Sequence, residues 1–362
     1  MKDQRIILTL DAGGTNFAFS ALKNGEEVCD PISLPAYANN QQKSIETLLS
    51  GFQHLIDQLK EKPLAISFAF PGPADYPNGI TYNVGNLPAY AGGVPIGPLL
   101  EEHFKIPVYI NNDADLFTYG EAIMGVLPEI NQKLEDANSP KRFNNLLGLT
   151  LGTGFGAGIV RNGDLFLGDN SCGAEIWLVR NYKTKSNMES SISIRAILRE
   201  YKRLAQSDEE DLTPKCIYEI AKGEREGDQE AALESYEIFG AALGEAIANV
   251  ATLIDGIVVM GGGLSGAKDI FMPSVMNVLN SDIQSLDNSS FPRIHQKVYD
   301  LEDAAELKQF LKGETKEIKI PGTEKTMTVD CQQRIGVCFS KMGTNQATSF
   351  GAYTYAINQL DK

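Results

Sequence analysis

Asp113 is the residue whose neighbours are hardest to explain by packing alone. The run Ile106-Pro107-Val108-Tyr109-Ile110 has the length and β-branched content of a buried strand. It ends at Asn111, Asn112 and Asp113, and helical spacing begins directly after. A carboxylate flanked by amides at the carboxyl end of a buried strand suits a general base, held where ligands enter an open α/β sheet. Aspartate is also a common helix cap. The rest of the chain has to separate the two roles.

Three glycine-rich turns follow apolar runs: Asp11-Ala12-Gly13-Gly14-Thr15-Asn16, Gly152-Thr153-Gly154-Phe155-Gly156 and Gly261-Gly262-Gly263-Leu264-Ser265. Glycine lets backbone N–H groups approach phosphate oxygens with no Cβ in the way. Two familiar nucleotide motifs fail on context. Gly152-x-Gly154-x-x-Ala157 is followed by a strand and a hairpin rather than a helix, and Gly261-x-x-x-x-Gly266 is followed by Ala267 where a P-loop needs Lys. Asp11 differs from the glycines around it. A carboxylate beside a phosphate repels it unless a cation intervenes, so Asp11 points to Mg²⁺ held directly or through water, the alternative being a turn residue that caps its own backbone.

The elements that must position these groups occur in two matching series. Residues 5–10 read as a strand, 17–22 as a second, Lys23-Asn24-Gly25 as a hairpin turn and Glu26–Pro35 as a third strand. A helical stripe covers 42–60, a strand 63–70, a helix 96–104 and a strand 106–110, before the helix that follows Asp113. The pattern then restarts. Leu-Thr-Leu, a glycine turn, a strand and Arg161-Asn162-Gly163 repeat the opening Leu-Thr-Leu, glycine turn, strand and Lys-Asn-Gly. Two such hairpins indicate a duplicated α/β domain. Helices are expected over 190–205, 229–254 and 346–360, with a buried strand at 257–260.

Bulk composition narrows the class. The chain has 362 residues, 43% of them hydrophobic, and a formal net charge of −15. That length suits two domains, and the acidic balance argues against nucleic acid as a partner. No apolar run is expected to span a membrane, and the N-terminus lacks the pattern of a secretory signal. Five scattered cysteines with no CxxC pair give neither a disulfide framework nor a thiolate metal site, so a reducing cytoplasm is expected.

Taken together, DAGGTN (11–16), PGP (71–73), GNLPAY with GGVPI (85–96), INNDADLFTYGE (110–121), LGTGFGAGIVRNG (151–163), GAEI (173–176), MESSISIRAI (188–197) and VVMGGGLS (258–265) resemble the ROK sugar kinases of the actin-like ATPase superfamily. The resemblance covers nearly the whole chain. It implies a duplicated ribonuclease-H-like fold in two lobes, with the ligand cleft between them. The small lobe would span 1–118 with the helix at 346–362 returning to it, and the large lobe 119–345 with a hairpin insertion near 300–330.

The resemblance also implies roles. ATP phosphates would lie on Asp11, Gly13, Gly14, Thr15 and Asn16 and on Gly152, Thr153 and Gly154. Gly261, Gly262, Gly263 and Leu264 would lie near the adenosine. Asp113 would take the proton of the attacking sugar hydroxyl, with Gly72, Asn86, Asn112, Glu175 and Glu189 around the sugar. The activity implied is ATP-dependent phosphorylation of the 6-hydroxyl of a glucose-like hexose. Fructose, mannose, N-acetylmannosamine and N-acetylglucosamine are alternative acceptors, and a noncatalytic sugar-binding regulator is a second class. A small-molecule sugar and ATP are the expected partners, and a homodimer is the assembly common in the family.

One segment departs from the pattern. The family's E-x-G-H continues into C-x-C-G-x-x-G-C-x-E, but Glu175 here is followed by Ile176-Trp177-Leu178. Leu178 stands where the His would, and 180–189 has no cysteine and keeps only Glu189. A zinc site is therefore not expected. The sole tryptophan, Trp177, suits either stacking on a sugar face or core packing.

Overall fold

The computed structural model describes residues 3–72, 74–82 and 87–362. They form two compact units, Met1–Gly125 with Asp164–Gly173 and Met342–Lys362, and Val126–Gly163 with Ala174–Lys341. Residues 119–125, 164–173 and 342–345 thus go with the first unit, whereas the sequence reading puts them in the second.

The first unit is built on β1 (Ile6–Ala12) and β2 (Asn16–Lys23), paired antiparallel. Phe17, Phe19 and Ala21 alternate onto the buried face of β2. Asn24 and Gly25 both take positive φ, 54° and 79°, as the expected Asn-Gly hairpin turn requires. The single strand expected over Glu26–Pro35 is instead two, Glu26–Glu27 and Ile32–Pro35, which pair with opposite ends of β2. Pro31 lacks an N–H and restricts the residue before it, which breaks the ladder there. β1 continues in parallel to β3 (Ala65–Ala69), and β3 to β4 (Val108–Asn111).

Three helices alternate with these strands. Helix α1 (Gln41–Gln58) starts at Asn40, whose side chain accepts from the Lys43 N–H, and buries Leu48, Phe52 and Leu55. Helix α2 (Ile96–Phe104) precedes β4, and α3 (Asp113–Ile123) follows it. The C-terminal helix, Thr344–Leu360, lies against α3 through two facing glycines. A Cβ on Gly120 would meet the Ala347 carbonyl oxygen at 2.0 Å, and one on Gly351 the Leu116 oxygen at 1.8 Å.

The second unit repeats the arrangement. β5 (Asn145–Leu151) pairs antiparallel with β6 (Phe155–Arg161) and parallel with β7 (Ile257–Gly261). β9 (Arg334–Phe339) lies parallel between β7 and β8 (Lys297–Asp300). The order β6-β5-β7-β9 matches β2-β1-β3-β4. Asn162 and Gly163 again take positive φ, 52° and 82°. The helices are α4 (Val126–Asp136), α5 (Ile194–Ala205), α6 (Pro214–Ala221), α7 (Gln229–Ile254), α8 (Lys268–Leu279) and α9 (Ala304–Lys312). Helix α5 begins at Ile194 rather than 190, because Ser193 is its cap and Met188–Ser190 forms a separate 3-10 turn.

Two expectations need correction. By length and composition α7 is apolar enough to cross a membrane, contrary to the sequence reading. Its buried residues run from Ala231 to Ala251 and sit at the centre of the unit's apolar core, which is why it is apolar on so much of its surface. The insertion near 300–330 is narrower than expected: β8 and α9 belong to the unit, and only Thr315–Lys319 with Thr326–Asp330 forms an exposed hairpin. Its base is tied down by the buried Asp330–Arg334 pair at 2.6 Å.

Candidate active site

In the first unit three parallel strands end abreast. Asp11 on β1 lies opposite Ala69 on β3, and Ala69 lies opposite Asn111 on β4. The Phe70 N–H donates to the Asn111 carbonyl at 2.9 Å, which holds the start of the 71–72 turn against the start of α3. The carboxyl ends of β1 and β4 thus carry the glycine turn and the Asn-Asn-Asp run.

The capping question at Asp113 has a divided answer. Asn112 is the cap of α3, and its Oδ1 accepts from the Ala114 N–H at 2.8 Å. Asp113 Oδ1 accepts from the same N–H at 2.9 Å, and Oδ2 has no hydrogen-bond partner among the described residues. Although Asp113 is open to solvent, protein crowds around it. Desolvation therefore pushes its carboxyl above the usual carboxylate range, against the pull of the Ala114 N–H and its own. The charge of Asp11 adds a smaller push in the same direction.

Gly72 sits where a Cβ would lie 2.9 Å from the Tyr76 hydroxyl and 3.9 Å from Asn112 Nδ2. Tyr76 donates to the Phe70 carbonyl at 3.0 Å and receives a long contact of 3.5 Å from Asn112 Nδ2. Tyr76 thus lies beside Asn112, a neighbour with no sequence signal, since a lone loop tyrosine carries neither period nor motif. Asn86 lies outside the described residues. Asp11, Gly14, Thr15 and Asn16 are exposed, with Gly13 half-buried.

In the second unit the Gly152–Gly154 turn joins β5 to β6. The Gly152 N–H donates to Gly154 O at 3.1 Å, and the Ile194 N–H at the start of α5 donates to Gly152 O at 2.9 Å. Glu189 reaches this turn. Its Oε2 accepts from the Phe155 N–H at 3.1 Å, and a Cβ on Gly154 would lie 2.8 Å from that oxygen. Its Oε1 accepts from Arg195 at 3.1 Å, a partner the sequence reading missed. The next turn lies alongside, because Thr150 on β5 is opposite Gly261 on β7. Gly262 takes φ +99° with its Cα against Leu151, where no side chain would fit. Leu264 is buried in the core, so only its backbone is available to a nucleotide.

A cavity of 710 Å³ between the 180–184 segment and the faces of α7 and α8 is lined by none of these turns. Volume alone does not mark the chemistry here.

The ROK family model matches residues 7–304. The chain belongs to the ROK family. Within that family it is 48% identical to the crystal structure of a glucokinase from Parabacteroides distasonis, with a TM-score of 0.91 and 98% of each chain covered. It is 29% identical to an N-acetyl-D-glucosamine kinase of Vibrio cholerae, over 72% of this chain and 85% of that one. It is 27% identical to a glucokinase of Thermotoga maritima, over 73% and 84%. A Streptomyces griseus ROK family glucokinase solved with glucose and AMPPNP shares the fold, with a TM-score of 0.60 at 16% identity over 96% and 98%.

The actin-like ATPase fold class expected from the sequence is the one observed. The ROK motif residues Asp11, Gly72, Asn112 and Asp113 are described in the first unit, and Gly152–Gly154, Glu175, Glu189 and Gly261–Gly263 in the second. Leu178, at the position of the ROK His, is 58% exposed.

Proposed function

We propose that this ROK protein transfers the γ-phosphoryl group of ATP to the 6-hydroxyl of a hexose, glucose foremost. The observation that carries the reading is the Asp113 carboxylate: one oxygen anchored on α3, the other free, and a raised proton affinity. A base of this kind accepts the hydroxyl proton as the sugar oxygen bonds to the γ-phosphorus and the bond to the β–γ bridging oxygen breaks, releasing ADP. Phosphoryl transfer needs positioning and charge neutralisation more than covalent chemistry.

The glycine turns supply the backbone donors for phosphate, with no side chain to obstruct them. Asp11 fits Mg²⁺: an exposed carboxylate at a glycine turn can complete, with phosphate oxygens and water, the oxygen set that the ion prefers. Bound there, Mg²⁺ would offset charge on the phosphates. On the sugar side, Asn112 and Asn86 offer amides and Glu175 and Glu189 offer carboxylates, groups that pair well with hydroxyls. The Ala114 N–H holds Asn112 Oδ1, which leaves its Nδ2 beside Tyr76 and Gly72. Five free cysteines and the use of ATP support a cytoplasmic location.

The acceptor can also be an N-acetylhexosamine, a second reading favoured by the Vibrio cholerae relative. A coupled ADP-release assay over glucose, mannose, fructose, N-acetylglucosamine and N-acetylmannosamine decides between them. Turnover is expected on at least one, highest on glucose. No turnover on any, with sugar binding by calorimetry, would replace the kinase by a sugar-binding regulator. Light scattering on the same preparation tests the expected homodimer, which should show twice the chain mass.

A further inference from the structure

The segment that departs from the ROK motif has a geometry of its own. Ala174 takes φ +61°, a left-handed backbone disfavoured for a residue with a Cβ and typical of functional positions. The Ile176 N–H turns back to Ala174 O at 2.6 Å, and the 3-10 turn Ile176–Leu178 follows. The result is an alternation: Glu175 exposed, Ile176 buried, Trp177 half-buried and Leu178 exposed. The Trp177 ring packs on the core of the second unit, and its Nε1–H donates to Glu175 Oε2. Of the two roles the sequence offered, core packing is the one present, and the indole N–H adds a polar contact that the sequence did not suggest. No other described residue bonds the Glu175 carboxylate.

We propose that Trp177 is a positioning residue that fixes the sugar-binding carboxylate of Glu175, and that it stands in for the missing His at one remove. This rests on the kinase reading and on the sugar role of Glu175. The indole has one N–H and no acceptor, so once bonded to Oε2 it can only orient. Oε1 and the remaining lone pairs of Glu175 stay available for hydroxyls. The ring is anchored in the core, so the carboxylate is held from a rigid support rather than from the loop. An indole does not titrate, whereas an imidazole does near pH 6.5. The Trp177 contact therefore adds no titration of its own where an imidazole would.

Trp177 is the only tryptophan of these 362 residues, so the chain carries its own reporter. Glucose, or whichever sugar turns over best, is titrated without nucleotide while tryptophan emission is read. A saturable change is expected, with a midpoint matching calorimetry. Trp177→Phe keeps an aromatic ring against the core and removes the N–H. It should raise KM for sugar about tenfold, the effect of losing a hydrogen bond to a charged group, with KM for ATP and Tm unchanged. Adding Leu178→His to that variant should recover most of the sugar affinity and introduce a pH dependence near 6–7. Three results would overturn the proposal: an unresponsive emission in a protein that binds sugar, an unchanged sugar KM in Trp177→Phe, or a joint rise of both KM values with a lower Tm. Absence of turnover in the unaltered protein sinks the kinase reading instead, and the emission titration still tests the Trp177–Glu175 pair.

Discussion

Asp11 and Gly152 each follow a Leu-Thr-Leu run in two hairpins of the same design, Asp11 still paired within β1 opposite Ala18 and Gly152 opening the turn from β5 to β6. Their chemistry has diverged. The first copy carries charge of its own: Asp11 lies at the end of β1 just before the turn, and Asp113 lies two strands away, close enough for Asp11 to raise its proton affinity. In the second copy the turn is neutral, and a carboxylate arrives from elsewhere, when Glu189 receives the Phe155 N–H and Arg195. One fold duplicated has given one copy suited to a base and a cation, and another suited to backbone donors.

The largest expected effect lies in the first copy. Asp113→Asn keeps the Oδ1 acceptor for Ala114 and removes the base, so kcat should fall by roughly 10²- to 10⁴-fold, the span of general-base contributions. Glu189→Gln should act mainly on KM for sugar, by about tenfold, because it weakens a charge-assisted contact without removing a base. Equal kcat losses in the two variants would erase the distinction between the copies. The glycines come next. A Cβ on Gly13 would meet the Asn16 carbonyl oxygen at 2.8 Å, which cannot move without the backbone. On Gly154 it would meet the Glu189 carboxylate, which can swing aside. Gly13→Ala should therefore raise KM for ATP by roughly tenfold or more, as overpacking does, and Gly154→Ala by about fivefold or less.

The pH prediction is smaller. A base works deprotonated, so kcat should decline as pH falls through the Asp113 value, and that limb should lie above the ordinary carboxylate range of about 3.9. The stability sign is opposite. A carboxyl whose pKa is raised on folding contributes stability below its unfolded value and loses it as pH rises through the folded one. Asp113→Asn should then melt at or above the unaltered protein at neutral pH, by differential scanning calorimetry. The smallest effect is expected from replacing 316–329 with a short glycine linker. The Asp330–Arg334 pair survives, so kcat should stay within about twofold, as surface loops generally allow.

Much of this was legible in the sequence because it depends on local rules. The two Asn-Gly turns, the largely apolar parallel strands and the position of Asp113 at a strand end follow from turn chemistry and period. What was not legible depends on tertiary approach. Tyr76 reaches Asn112 from a loop, Arg195 reaches Glu189 from the first turn of α5, and Gly120 and Gly351 meet across two helices more than two hundred residues apart in sequence. The apolar character of α7 was seen as periodicity but not weighed as length, since a core helix and a membrane span share a composition. Leu178 was recognised as a loss, whereas the compensating contact from Trp177 appeared only when a strained Ala174 turned the chain.

The most direct test of the account is made on one preparation of Asp113→Asn, first by calorimetric titration with glucose and then by ADP release with glucose and ATP. The account predicts glucose binding within severalfold of the unaltered protein, an unchanged fold, and turnover lower by at least about a hundredfold. Turnover close to that of the unaltered protein would contradict it, and the base would have to be sought in another residue.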